Sequence, residues 1–535
     1  MSRRAGLLAL CLVPSLLEGA LVGAGLAPLG AAGLAAQANA VPPFGVFQDL
    51  RWLVALDPSW TVLAGLVPAV LLARGVLTGL TLAAAWPEGL PRPGLGRLVA
   101  RGTLASGLGD LLLAPSVVVL YGLAVVPLSW LFLAAVPLAV LLALVAHPLW
   151  VQAGWWRRPL SARAVGWVLA SFLWLSLAGL AVTAAPRFAA APVAGLFGAA
   201  NALAWTGLVR AVAGQPRRRL VVPMVPVALA GLAALVALGT LGGFRAARAA
   251  ETARLRVAPP ARTARAPAGP AREAVLIVSG YGSAWNGRPS RPVPGPFLET
   301  RFSYAGLGPR GRPLPYDGPD TAAPLPLLLA RLRQQVVVLG RRSHLPVAVV
   351  ADSEGALLAG ELVHDDPPRD LRTVVFLSPL LDPDRLTYPL GGSAGPGAPL
   401  RQAMTVLAQA LQGAAPVALS PRSPFLASVD RQARQLRGLL ACPVPGLREL
   451  AVLPLADAVA APPGERLGIP AVVVPAFHGG MLALPVVQRV VADEVAGRPL
   501  PRLGIWRWAA HVVAGAANAW QVPTPEAPSC GRPGR

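Results

Sequence analysis

Apolar positions in the first 243 residues fall in long uninterrupted runs. Runs of about 20 apolar residues are long enough to cross a bilayer as helices. Seven spans are expected, at roughly 6–28, 61–85, 104–125, 128–149, 165–185, 189–210 and 220–242. Trp60, Trp86, Trp130, Trp150, Trp155 and Trp156 cluster near their ends, as interfacial anchors do. From residue 273 the pattern changes. Short β-rich runs at 273–279, 299–304, 347–351, 372–378, 448–453 and 470–474 predict strands. Their near-continuous Val, Ile and Leu content suits parallel strands buried on both faces. Helical patterns lie between several of them, at 323–341, 354–364, 401–412 and 427–440. Strand–helix alternation predicts an α/β sheet with helices on both faces. The Trp-rich stretch 503–520 reads as a docking helix and not as a span.

Composition sharpens this division. The chain has 535 residues, 47 Lys+Arg against 25 Asp+Glu, and a net charge of +22. It contains no lysine, so every basic side chain is arginine. Only 13% of residues are charged and 54% are hydrophobic, which points to membrane and away from a nucleic-acid binder. In residues 1–243, 12 arginines fall in one set of inter-span loops and 2 in the other. Arg3, Arg92, Arg97, Arg157, Arg163, Arg210 and Arg217 belong to the rich set, Arg51 and Arg187 to the poor one. That asymmetry predicts a cytoplasmic N-terminus and, after an odd number of spans, an extracytoplasmic C-terminal domain. The first span has a second reading. A basic start, an apolar stretch and Ala-x-Ala sequences near Ala36–Ala40 also describe a cleaved signal peptide, although Glu18 interrupts it. Residues 244–272 form a basic Ala/Pro/Arg linker, read as a tether or as a contact with anionic headgroups.

Candidate chemistry gathers at the predicted strand ends. The run Ala351-Asp352-Ser353-Glu354-Gly355 follows a β-run and precedes a helical one. A small-x-Ser-x-Gly turn at that junction exposes a serine hydroxyl on a tight bend, with small residues on either side where larger ones would collide. The competing reading is an ordinary helix N-cap serine. A nucleophilic serine needs a base, and the base needs an orienting acid. Asp457 follows the strand at 448–453, and His478 follows the strand at 470–474, before Gly479-Gly480. The order is Ser353, Asp457, His478. Asp382 and Asp384, after the strand ending at Ser378, are the alternative acids. For an oxyanion hole the candidate donors are the amide of Glu354 and that of Tyr281 or Gly282, in the loop Ser279–Ser283. Among the other histidines, His344 and His364 read as surface or cap residues. Neither a metal nor a cofactor is implied.

Residues from about 273 to 500 resemble the α/β-hydrolase superfamily. The SGYGS loop, the RFSYAG strand, the ADSEG elbow, the LADAV turn and the AFHGG turn match its landmarks in order. ADSEG is similar to the GHSEG elbow of esterases and lipases, with Ala351 and Asp352 in place of Gly and His. The resemblance implies hydrolysis of an ester, thioester or amide through an acyl-enzyme. It divides the chain into a multi-pass transmembrane region (1–243), the linker (244–272), a hydrolase-like domain (273–502) with a cap at 385–447, and a C-terminal helix and tail (503–535). The implied partners are the lipid bilayer and an acyl-ester or lipid-like substrate. Cys442 and Cys530 both fall in the expected external part, where they are able to pair. Two other functions stay open: a non-catalytic hydrolase-like binding domain, and a transporter built on the intramembrane Glu18, Arg74 and Asp110.

Overall fold

The computed structural model describes residues 2–24, 36–42, 44–56, 59–123, 161–213, 271–381, 402, 423–436, 438–454, 467–474, 476, 480–500, 504–506, 508–509, 512 and 520. Six helices form the first half: α1 (Arg3–Gly23), α2 (Phe44–Leu56), α3 (Trp60–Ala85), α4 (Leu95–Leu123), α5 (Ala162–Ala184) and α6 (Ala190–Ala213). Four helical stretches are long and apolar enough to cross a membrane: Arg3–Gly23, Trp60–Ala85, Ala162–Val182 and Arg187–Ala213. These coincide with four expected spans. A fifth, 104–125, falls within α4. The spans at 128–149 and 220–242 lie outside the described residues.

Small residues let these helices approach closely, as in membrane bundles. An added methyl at Gly19 would stand 2.6 Å from the Ala190 carbonyl, and one at Gly198 2.5 Å from Ser15 Oγ. So α1 and α6 run antiparallel with backbones nearly touching. Gly79 against Val99 and Gly102 against Gly75 make the same arrangement between α3 and α4. Helix α2 was not expected. Its 13 residues are too few to span, and Gln48, Asp49 and Arg51 break the apolar run. Yet Phe44, Val46, Phe47 and Leu50 are buried in the bundle core.

All six expected strands form: β1 (Glu273–Val278), β2 (Phe297–Arg301), β3 (Val347–Asp352), β4 (Leu371–Leu377), β5 (Arg448–Pro454) and β6 (Ala471–Val474). They make one parallel sheet in the order β2-β1-β3-β4-β5-β6. Alternate side chains feed two cores, one on each face. Leu276, Val278, Val349 and Ala351 pack on one face, beneath α7 (Leu325–Ser343), α8 (Glu354–Asp365) and α9 (Pro424–Leu436). Val275, Ile277, Ala348 and Val350 pack on the other with α10 (Pro485–Val495). Strand β2 ends earlier than its hydrophobicity suggests. After Phe302 donates to the Ile277 carbonyl, Ser303 leaves the ladder and pairs with Gln335 on α7. Helix α10 was also missed, because its Val-rich sequence carries no helical preference and Pro485 alone marks the start. The expected helix at 401–412 lies outside the described residues except for Gln402.

The halves meet at two described points. Trp60 Nε1, at the start of α3, donates to Gln402 Oε1 at 3.0 Å. Trp520, from the tail, is fully buried among Phe44, Phe47 and Phe172 and donates to Ser176 Oγ at 2.9 Å. Trp520 is therefore seated in the helical bundle.

Candidate functional site

The sheet order reverses at β1. The chain leaves β1 toward β2 on one side, and leaves β3 toward β4 on the other. Such a reversal opens a crevice beyond the carboxyl ends of the two strands, where loops are pulled apart. Two segments fill that crevice here: the loop after β1, Ser279–Ser283, and the turn from β3 into α8.

That turn is centred on Ser353, whose φ is 55° and ψ −112°. A non-glycine residue there is strained by about 1–3 kcal/mol and persists only where its surroundings over-determine it. The surroundings are specific. Ser353 N–H donates to the Leu377 carbonyl at 2.9 Å, and its carbonyl accepts from Ala356 at 3.0 Å. The hydroxyl does not cap α8, so the N-cap reading does not account for this serine. Glycine is required next to it. A methyl at Gly355 would lie 2.8 Å from Val278 Cγ1 and 2.9 Å from the Val278 carbonyl. A methyl at Gly280 would lie 3.0 Å from Ser353 Cβ, so the β1 loop rests directly on the bend.

The β1 loop is fixed at nearly every residue. The Ser279 carbonyl accepts from the Tyr304 hydroxyl at 2.5 Å, and Ser279 Oγ accepts from Arg301 Nη1 at 3.1 Å. Gly282, at φ 74°, donates its amide to Thr321 Oγ1 at 2.9 Å. That amide is therefore engaged by Thr321. Ser283 Oγ lies 3.2 Å from the Tyr316 hydroxyl. The Tyr281 hydroxyl reaches Ser423, and its ring packs 5.6 Å from that of Phe425, at the start of α9. The amide of Glu354 opens α8, where helix geometry supplies no intrahelical acceptor.

Sequence reasoning missed the side chain of Glu354. It is 1% exposed, and neither oxygen has a partner of normal hydrogen-bond geometry. Its neighbour is Tyr304, whose proton is already given to Ser279. Burial holds the Glu354 carboxyl well above the usual carboxylate range. As a neutral acid it can donate back to the Tyr304 oxygen. Burial likewise pushes Tyr281 up to about 12 and raises Tyr316. The floor of the site is thus a neutral polar layer.

Asp352, beside the serine, has a described partner across the crevice. Its Oδ2 accepts from the Gly480 amide at 2.8 Å. Gly480 belongs to the turn after β6 and takes φ 64°. Asp352 thereby ties that turn to the serine bend. Asp457, His478, Asp382 and Asp384 lie outside the described residues, although β5 and β6, which lead toward Asp457 and His478, end on the same side of the sheet as β3. His344 is the left-handed cap of α7, and His364 Nδ1 lies 3.2 Å from the Gly360 carbonyl within α8. Among the described residues no group of three or more His, Cys, Asp or Glu is placed to hold a metal ion. Cys442 is disulfide-bonded, Cys11 is a buried free thiol, and Cys530 lies outside the described residues.

Comparison with known protein families, with curated proteins and with solved structures finds no match.

Proposed function

We propose that the C-terminal domain is a membrane-anchored serine hydrolase of α/β-hydrolase type, cleaving an acyl ester outside the cytoplasm. The observation that carries this reading is the backbone of Ser353, at φ 55° and ψ −112° between a parallel strand and a helix. Only a turn of this kind lifts a serine hydroxyl clear of both elements at the mouth of the switch-point crevice.

In this mechanism Ser353 Oγ attacks the acyl carbonyl while His478 takes its proton. Asp457 orients the imidazole, with Asp382 and Asp384 as alternative acids. The amides of Glu354 and Tyr281 receive the charge that develops on the carbonyl oxygen. Collapse of the tetrahedral intermediate expels the alcohol, which leaves with the proton from His478. Water, deprotonated by the same histidine, then releases the acid and restores Ser353. The tie from Asp352 to Gly480 holds the turn that carries His478 in register with the nucleophile.

Three observations support an external site fed from the bilayer. Arg3, Arg92, Arg97, Arg163 and Arg210 lie at or between helix ends that the antiparallel pairs bring to one end of the bundle, while Trp60 begins α3 at the other. Cys442 is oxidised, as expected outside a reducing cytoplasm. The β4–β5 connection touches the bundle through Gln402 and covers Tyr281 through Ser423 and Phe425, so one insertion links the crevice to the membrane end of α3. A lipid-borne acyl ester is the substrate class this favours. Labelling of native membranes with a fluorophosphonate probe tests the reading: the native protein takes the label and Ser353→Ala does not. Equal labelling of both forms refutes it.

A further inference from the structure

The bundle buries more charge than an anchor requires. Arg74, Asp110 and Asn201 each stand near the middle of their helices α3, α4 and α6. Arg74 binds Asp49 of α2 through two hydrogen bonds, of 2.7 and 2.6 Å, and also donates to the Ala38 carbonyl. Glu18 of α1 accepts from the Ala38 amide at 2.9 Å. Asn201 Nδ2 donates to the Ala36 carbonyl at 2.7 Å, and Trp205 Nε1 to the Asn39 carbonyl at 2.9 Å. The non-helical stretch 36–42 is thus clasped by α1, α3 and α6 at mid-bundle depth. Irregular backbone at such depth is tolerated only when protein or a watery cavity surrounds it, and broken helices of this kind mark ion sites in transporters.

Among the described residues the charges do not balance. One guanidinium faces three carboxylates, Glu18, Asp49 and Asp110. Asp49 takes both ends of the fork, and Asp110 faces that pair from α4. Helix α6 adds only neutral groups, Asn201 and Trp205. The atoms left buried without a partner include Glu18 Oε2, Asp110 Oδ1 and Asn201 Oδ1. Asn201 is fully buried, and its other amide atom already holds the clasped stretch. Among these atoms the two carboxylate oxygens, Glu18 Oε2 and Asp110 Oδ1, are acceptors without a donor, while Asn39 Nδ2 in the clasped stretch is a donor without an acceptor. Ser106, one turn from Asp110, is 1% exposed with its hydroxyl also unpartnered.

We propose that Glu18 and Asp110, gathered about Arg74, form an exchangeable proton-binding site, and that the helical half is a proton-coupled unit and not a passive anchor. A proton on each carboxyl cancels the two excess charges and makes each group a donor as well as an acceptor.

The test uses the full-length protein. Infrared spectra in detergent near neutral pH should show a carboxylic-acid carbonyl band that shifts in heavy water. Glu18→Gln and Asp110→Asn should each remove part of it. In proteoliposomes under an imposed pH gradient, the native protein should dissipate protons faster than empty vesicles do. Both variants should fall to the empty-vesicle rate. Circular dichroism and elution volume show whether each variant is folded. A native spectrum without the band overturns the proposal, as does native flux equal to that of empty vesicles or flux that folded variants retain.

Discussion

In the sheet half, the buried carboxyl of Glu354 stands among tyrosines with no cation against it, and burial keeps it neutral. In the helical half, Arg74 collects three carboxylates and meets one of them with both ends of its fork. The first arrangement stiffens a loop without adding charge beside a nucleophile. The second concentrates charge where a bilayer would exclude it, which is costly unless the charge does something. The contrast assigns different work to the two halves. The sharpest way to break it is to remove the chemical centre of each and see whether the other survives.

Ser353→Ala should give the largest effect. Hydrolysis of a short soluble acyl ester by the full-length protein should fall about 10⁶-fold, the loss typical of a nucleophilic serine. The thermal midpoint should not fall, because alanine removes a hydroxyl that caps nothing. Retained activity would detach the strained bend from catalysis. Arg74→Met comes next. It leaves Asp49 buried with no countercharge, a loss of about 3–5 kcal/mol in unfolding experiments. Adding Asp49→Asn should recover much of that loss. A double variant no more stable than the single would deny that the pair is what holds the 36–42 stretch.

The join between the halves rests on Trp520. Trp520→Ala empties an aromatic pocket formed by Phe44, Phe47 and Phe172 and removes the donor to Ser176 Oγ, at about 3–5 kcal/mol. Limited proteolysis should then cut the tail while the sheet domain resists. An uncut tail would mean that other contacts dock it. Gly355→Ala is milder, about 1–3 kcal/mol, since its methyl meets Val278 at 2.8 Å. It should lower kcat more than it raises KM, because the displaced element is the bend itself. Unchanged kinetics would show that the bend tolerates the shift.

Much of this was legible in the residues. Six strands, four spanning helices and the serine bend announced themselves, because continuous Val/Ile runs and a small-x-Ser-x-Gly turn leave the backbone few choices. What stayed hidden depends on partners far away in sequence. Nothing in the string DSEG says that Asp352 will reach Gly480, or that Glu354 will meet Tyr304, 50 positions earlier by number. Helix α2 was invisible for the opposite reason: Asp49, which breaks its apolar pattern, is there to hold Arg74. Glycine at 282 suggested an oxyanion donor, but only the structure reveals that Thr321 takes its amide.

Glu354→Gln gives the smallest effect and sharpens the comparison most. The folded protein holds this carboxyl above its ordinary value of 4.5. Below pH 4.5 both folded and unfolded chains carry the proton, and the residue adds no pH dependence. Above it the unfolded chain ionises while the folded chain does not, so the unfolded state gains and stability falls as pH rises. Glutamine ionises in neither state, and its amide can donate to Tyr304 as the acid does. The variant should therefore keep its esterase activity, and its stability advantage over the native protein should grow between about pH 5 and pH 8. Glu273, Glu299 and Glu449 are also raised, Glu299 to about 7, and drive the same fall in both proteins, so they cancel in the difference. A difference that stays flat with pH would mean that Glu354 is ionised in the folded state. The floor of the serine site would then carry a charge beside the nucleophile.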